Sequence, residues 1–346
     1  MHQRTEQEIM QNWKGDHDAP VVSVCCITYN HEPYIAEAID GFLIQQTDFP
    51  FEIIVRDDCS TDNTASIIRE YVEEYPDIIK PIFESENQYS KGVRPMPVVF
   101  KQAVGEYFAL CEGDDYWVDS LKLQRQVDGL KHNDQCSFAG HDVNIVESDK
   151  AFIGKHSKGR INDKWNTGVV NSRIALSAVW SVPHTSAMLF RRKDLDMEII
   201  TLDNFLGGDY ILFVSLCAKG DLYYINKIMS EYRKHKTSVS AAWVYAYNDK
   251  FMDEVVRVHT ALDNYFNSEF EAEIYIHLNG QYMTKYTQQL VVSIENLQVV
   301  ETINNLGKMF KCRKNSQYTF RDILWIFRKE VARKMTKMRA LKENEV

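Results

Sequence analysis

Short apolar runs alternate with helical patterns through the first hundred residues, which is the signature of βαβ units on a mostly parallel sheet. Val21 to Ile27 is almost continuously apolar and reads as a buried strand. Pro33 can then open a helix, because Tyr34, Ile35, Ala38, Ile39, Phe42 and Leu43 recur at helical spacing. Glu52 to Val55 predicts a second strand. Ile67, Ile68, Tyr71, Val72 and Tyr75 predict the stripe of a second helix, stopped near Pro76, and a third strand is expected around Ile79 to Phe83.

Tyr107 to Cys111 is a fully apolar strand that ends abruptly in Glu112, Gly113, Asp114 and Asp115, followed by Tyr116 and Trp117. Asp119 is placed to cap a helix over Leu121 to Leu130. Cys136 to Val182 has no strong period and reads as strands plus a long polar loop. Thr185 to Phe190 predicts another strand, Gly207, Gly208 and Asp209 precede a helix through Ala218, and Leu222 to Ile225 with Ile228 to Tyr232 predict a closing hairpin. Beyond about Ala241 the pattern changes to long helices without Pro or strand punctuation. The expected organisation is an extension over 1–20, an α/β domain over 21–240 and a helical region over 241–346.

Composition adds boundaries to this picture. With 45% hydrophobic and 26% charged residues, the 346-residue chain can bury a full core. Met1 to Ala19 is polar and no run of apolar residues is long enough to span a bilayer, so neither a secretory signal nor a transmembrane helix is expected. The seven cysteines contain no C-x-x-C pair and read as buried thiols of a reducing cytoplasm. The net charge of −9 is uneven: Lys311 to Lys342 carries 11 basic against 2 acidic residues, about +9, which leaves about −18 on the rest. An acidic α/β region argues against nucleic-acid binding. Trp325, Ile326 and Phe327 among Arg321, Arg328, Lys329, Arg333, Lys334, Lys337 and Arg339 fit a basic amphipathic helix, suited to an anionic membrane surface or, equally, to packing or a homodimer contact.

In open α/β sheets, ligands bind beyond the carboxyl ends of the strands, so polar residues that directly follow a strand carry meaning. Three clusters qualify: Thr28, Tyr29 and Asn30; Asp57 to Thr64; and Glu112 to Asp115. Ser60 to Thr64 has the ordinary use of a helix cap. Adjacent carboxylates at the end of a buried strand repel unless a cation or donors compensate, and hard divalent ions prefer oxygen ligands.

The segments Cys26-Ile-Thr-Tyr-Asn30, Arg56-Asp-Asp-Cys-Ser-Thr-Asp-Asn-Thr64 and Glu112-Gly-Asp-Asp-Tyr-Trp117, at this spacing, resemble the family 2 glycosyltransferases of GT-A fold. The resemblance covers about Val21 to Ser240. It implies an α/β fold with a Rossmann-like, mostly parallel sheet, a nucleoside-diphosphate sugar donor, Mn²⁺ or Mg²⁺ bridging the diphosphate, and inverting transfer. By resemblance Thr28, Tyr29 and Asn30 line the nucleoside pocket, and Asp57 or Asp58 bonds the base, commonly uracil. Glu112 and Gly113 lie along the donor, and Asp114 and Asp115 hold the metal. Glu112 is one methylene longer than the family's usual Asp. Gly208-Asp209-Tyr210 resembles the family's Glu-Asp element and implies Asp209 as the base, with Gly208 standing where Glu is often found; by itself Asp209 reads as a helix cap. Tyr232-Arg-Lys-His235 resembles the Tyr-Arg-x-His ending and places Arg233 by the donor diphosphate and His235 by the metal.

Lys91 and Arg94 are weaker diphosphate candidates, and Tyr116, Trp117, Trp180 and His184 are candidates for stacking on a sugar, Trp117 first among them. The resemblance to bacterial members implies a glycan or lipid-linked acceptor in cell-surface polysaccharide synthesis, reached from the cytoplasm or the inner membrane face. The loop from about Ser148 to Val182 is expected to face that acceptor. Two other classes stay open: a nucleotide-sugar-binding protein without catalysis, which Glu112 and Gly208 make thinkable, and a metal-dependent nucleotidyltransferase. Thr28 to Pro33 lacks the Gly-rich basic loop the latter would carry.

Overall fold

The computed structural model describes residues 4–158, 161–177, 183–201, 208–236, 238 and 249–276, with 278, 282, 285, 286, 289 and 304–309 beyond them. The chain divides into two compact units, Met1–Lys236 and Thr237–Val346. The first unit contains, in order, α1 (Glu6–Met10), β1 (Val22–Thr28), α2 (Ile35–Leu43), β2 (Phe51–Asp57), α3 (Thr64–Glu74), β3 (Ile79–Phe83), α4 (Pro95–Gln102), β4 (Tyr107–Glu112) and β5 (Tyr116–Trp117). Then come α5 (Lys122–Lys131), β6 (Cys136–Glu147), β7 (Phe152–Lys155), β8 (Gly168–Val170), α6 (Ser172–Ser177), β9 (Leu189–Arg191), α7 (Met197–Thr201), α8 (Gly208–Lys219) and β10 (Asp221–Lys234).

All ten strands join one sheet, whose main path runs β3-β2-β1-β4-β9-β6-β10-β5, with β7 on β6 and β8 on β10. The pairs among β3, β2, β1 and β4 are parallel. Helices cover both faces of such strands, so β1 and β2 are buried along nearly their whole length and read as continuous apolar runs. The core is built from Val22, Val24, Cys26, Val55, Ala109 and Cys111 of the sheet with Ile35, Ala38, Ile39 and Phe42 of α2 and Leu123 and Val127 of α5. The residues before β1 are part of this body: Ile9 of α1 is 2% exposed, and Trp13 meets Phe51 edge to face at 5.3 Å.

Three expectations are corrected. The closing hairpin is a single fourteen-residue strand, β10, parallel to β6. Asn226 and Lys227, which read as a turn, are extra residues between the pairs Ile225–His141 and Ile228–Asp142. They form a bulge, which bends a strand without ending it. Thr185 to Ala187 is a 3₁₀ turn rather than strand, because the His184 side chain accepts the Ser186 backbone N–H, and β9 begins only at Leu189. Cys59 is half-buried, unlike the other described thiols, which are buried and free. Cys312, Trp180, Val182 and the basic tail lie outside the described residues.

In the second unit, α9 (Asp249–Tyr265) buries Met252, Val258, His259 and Leu262 at helical spacing. Among the described residues no helix is long and apolar enough to cross a membrane.

Candidate active site

The loops after β1 and β2 are laced to each other. Asn30, at φ 54°, accepts the Thr61 N–H at 2.8 Å through Oδ1 and donates its own N–H to Ser60 Oγ at 2.8 Å. A left-handed backbone suits Asn better than most residues. His31 N–H donates to Thr64 Oγ1, Glu32 N–H to Asp62, and Asn63 N–H back to Glu32. The capping-type residues from Ser60 to Thr64 therefore brace the loop after β1 as well as opening α3.

Several predicted nucleotide residues already hold protein partners. Asp57 accepts from the Ser60 N–H at 3.1 Å and from its hydroxyl. Asp58 is 4% exposed, paired with Arg56 at 2.7 Å, and accepts the Gln88 and Tyr89 N–H groups at 3.0 and 2.9 Å. Asp58 thereby ties the loop after β3 to the end of β2. Tyr29 is 41% exposed, and the buried Thr28 hydroxyl has no hydrogen-bond partner. Gly113 lies so close that a Cβ there would stand 2.8 Å from Thr28 Cβ, so a side chain at 113 would force these two strand ends apart.

Glu112, Asp114 and Asp115 bring one carboxylate oxygen each to within 4.8 Å of one another. Glu112 and Asp114 keep a solvent-facing edge while protein crowds their other sides. Burial and the Asp114 and Asp209 charges push Glu112 up to about 8. Burial, Asp114 and Glu112 likewise hold Asp115 well above the usual carboxylate range, and its Oδ2 is buried without a hydrogen-bond partner. Burial would raise Asp114 too, but the hydrogen bond with His235 and the nearby His31 and His235 outweigh it and hold the group low. His235 Nε2 lies 2.9 Å, and His31 Nε2 3.8 Å, from Asp114 Oδ2. Clustered carboxylate oxygens that raise one another, and a buried oxygen without a hydrogen-bond partner, fit a hard divalent cation.

β10 runs past this cluster. The Arg233 backbone N–H donates to Asp115 Oδ1 at 2.9 Å, and its Nη1 donates to the Asp114 carbonyl at 2.7 Å. The guanidinium lies 4.7 Å from the Tyr34 ring and 4.8 Å from the Tyr116 ring, and its Nη2 pairs with Glu37. Arg233 is 1% exposed. Asp209 stands in the first turn of α8, where the Tyr210 N–H donates to its Oδ1 at 2.9 Å. Asp209 is exposed at the surface, and desolvation raises its carboxyl. Its charge is the last of the causes that raise Glu112.

Trp117 is corrected from sugar platform to core: it is 2% exposed, donates Nε1–H to the Ser186 carbonyl at 3.0 Å and packs on Phe42. Tyr116 is buried, bonding Glu231 through its hydroxyl. His184, half-buried, approaches Asp115 Oδ2 at 3.6 Å. Lys91 pairs with Glu86, and Arg94 donates to the Ile200 carbonyl at 2.8 Å. Glu37, His31 and Tyr34 were not singled out from the sequence. His31 and Tyr34 flank the Thr28 to Asn30 cluster, which was the available signal; Glu37 sits among helix residues where a solvated carboxylate is the ordinary reading.

The model of the glycosyl transferase family 2 matches residues 23–197. An uncharacterized protein of Mycobacterium tuberculosis is 35% identical over 231 residues, 66% of this chain and 62% of that protein. The chain thus spans about 62% of the length of these relatives. TuaG of Bacillus subtilis, whose name assigns it to teichuronic acid biosynthesis as a glycosyltransferase, is 26% identical over 72% of this chain and 92% of its own. Among solved structures, S. aureus TarS 1–349 in complex with UDP-GlcNAc superposes with TM-score 0.52 at 17% identity, over 86% of this chain and 93% of that one. The mannosyltransferase PcManGT of Pyrobaculum calidifontis, in complex with GDP-Man and Mn²⁺, gives 0.53 at 16%, over 91% and 88%. At these identities the likeness concerns the fold, which is the GT-A arrangement of a curled, mostly parallel sheet between helices. With its family model matched over half its length and the three strand-end clusters gathered at one sheet edge, the chain belongs to glycosyl transferase family 2.

Proposed function

We propose that this protein transfers a sugar from a nucleoside-diphosphate sugar, UDP-linked, to a hydroxyl of a glycan or lipid-linked acceptor, with inversion at the anomeric carbon. The observation that carries the reading is the cluster of Glu112, Asp114 and Asp115, with one buried Asp115 oxygen that has no hydrogen-bond partner. Asp114 and Asp115, with His235 on Asp114, are the residues that would hold Mn²⁺ or Mg²⁺. A divalent cation there would neutralise charge on the departing diphosphate. The complexes of TarS with UDP-GlcNAc and of PcManGT with GDP-Man and Mn²⁺ support this reading by fold. Thr28, Tyr29 and Asn30 form the nucleoside side, with Asp57 or Asp58 bonding the base.

Asp209 takes the acceptor hydroxyl's proton as that oxygen bonds the anomeric carbon. The bond from this carbon to the diphosphate oxygen breaks, and the nucleoside diphosphate leaves with the electron pair. A base must hold a proton after the attack, and a carboxyl raised by burial is suited to that. The acceptor belongs to a cell-surface polysaccharide, a reading that TuaG supports, and the enzyme works at the cytoplasmic side of the membrane. Tail contact with anionic lipid belongs to this proposal, with homodimer contact as the other use of that segment.

Calorimetric titration with UDP, GDP and CDP, each with and without Mn²⁺, tests the proposal, followed by donor hydrolysis by wild type and Asp209→Asn. Metal-dependent binding of UDP, with hydrolysis lost in the variant, is expected. Absence of binding by all three nucleotides would overturn it.

A further inference from the structure

Resting on the metal reading above, we infer that Glu37 is a positioning residue: through Arg233 it sets the geometry of the two aspartates that hold the cation. Glu37 lies on α2, far in sequence from β10 and one helix turn from the ring of Tyr34. Its Oε2 pairs with Arg233 Nη2, and its Oε1 pairs with Lys150 in the turn between β6 and β7. The Lys150 pair is exposed on the lysine side and contributes little. The Arg233 pair differs, because the guanidinium is 1% exposed and its charge needs a carboxylate partner there.

The same guanidinium holds the Asp114 carbonyl at 2.7 Å, while the backbone N–H of Arg233 holds Asp115 Oδ1 at 2.9 Å. One residue thus contacts both aspartates, the Asp114 main-chain carbonyl and Asp115 Oδ1, leaving Asp114 Oδ2 to His235 and Asp115 Oδ2 without a hydrogen-bond partner, 3.6 Å from His184 Nδ1. The rings of Tyr34 and Tyr116 both lie against the guanidinium, at 4.7 and 4.8 Å, and restrict its movement. A fork has two prongs: Nη1 meets Asp114 when Nη2 is held, and Glu37 is what holds Nη2. Outer partners of this kind orient the ligands of a metal and tune its affinity.

The test uses the full chain and reads UDP binding by calorimetry over a Mn²⁺ series. Glu37→Gln and Arg233→Lys should each weaken Mn²⁺-dependent UDP binding by about tenfold or more, leaving UDP binding without metal and near-ultraviolet dichroism unchanged. Arg233→Lys keeps the charge but loses the fork, so adding Glu37→Gln to it should bring little further loss. A purely structural role would shift stability and both binding modes together. Wild-type Mn²⁺ dependence in Glu37→Gln and Glu37→Ala, with Asp115→Asn losing it, would overturn the inference. Retention of Mn²⁺ dependence by Asp115→Asn would instead overturn the metal reading beneath it.

Discussion

His235 Nε2 lies 2.9 Å from Asp114 Oδ2 across 121 residues of sequence. The bond joins the end of β10 to the end of β4. Replacing His235 with Ala is expected to weaken Mn²⁺-dependent UDP binding by roughly 10- to 100-fold, as loss of a ligand or its orienting partner does. Calorimetry at fixed Mn²⁺ reads this directly, and unchanged affinity would remove His235 from the site.

Asp115→Asn removes a carboxylate oxygen that would ligate the cation while keeping the oxygen that accepts the Arg233 N–H. Metal-dependent binding should be lost with the fold intact by circular dichroism. Stability should hold or rise, because a buried carboxyl facing two like charges is replaced by a neutral amide. Undiminished binding of UDP with Mn²⁺ would refute the assignment.

Asp209→Asn should leave UDP affinity near wild type while slowing sugar transfer by about 10²- to 10⁴-fold, the usual contribution of a positioned base. Single-turnover donor consumption measures it. Equal loss of binding and turnover would point to a donor contact instead.

Lys122 offers a test of packing by pH. Its amine is fully buried, donates to Gln126 Oε1 at 2.8 Å, lies 3.8 Å from the Trp117 ring, and is brought down to about 7 by burial. Between that value and the ordinary lysine range, the unfolded chain binds the proton and the folded one does not. Stability therefore rises with pH across this window, and the penalty is full below it. Lys122→Met should gain most over wild type near pH 6 and lose that advantage by pH 10, a change of roughly 2–5 kcal/mol. Urea midpoints across pH report it; a constant difference would show that the amine does not titrate there.

Gly41 lies on the face of α2 against β5, where a Cβ would stand 2.8 Å from the Trp117 nitrogen and 2.9 Å from its oxygen. Backbone atoms cannot swing aside as side chains do, so Gly41→Ala should cost about 1–3 kcal/mol. Thermal unfolding of the variant measures the loss, and an unchanged midpoint would mean that α2 shifts freely.

Much of this protein was legible along the chain because its signals are local. A continuous apolar run such as Val22–Thr28 has few ways to be buried other than between helices, and the polar residues that interrupt it mark the edge of the sheet. That logic located the clusters at Thr28, Asp57 and Glu112, and the family resemblance followed from their spacing. The resemblance, and not that logic, pointed to Asp209 and His235, at the first turn of α8 and just after β10.

Tertiary structure alone decided which of those groups are spent inside the protein. Asp58 and Arg233 carry the charges a ligand would want, yet each is buried against protein partners, Asp58 against Arg56 and Tyr89 and Arg233 against Asp114 and Glu37. Trp117 has the form of a sugar platform but lies under Phe42 and Lys122. Glu37 reads as a surface helix residue until β10 arrives beside it. Hydrophobic periodicity records which face of an element is buried; it does not record which element lies opposite. Partners, burial of charge and the meeting of α2, β4 and β10 at one point exist only once the sheet has closed.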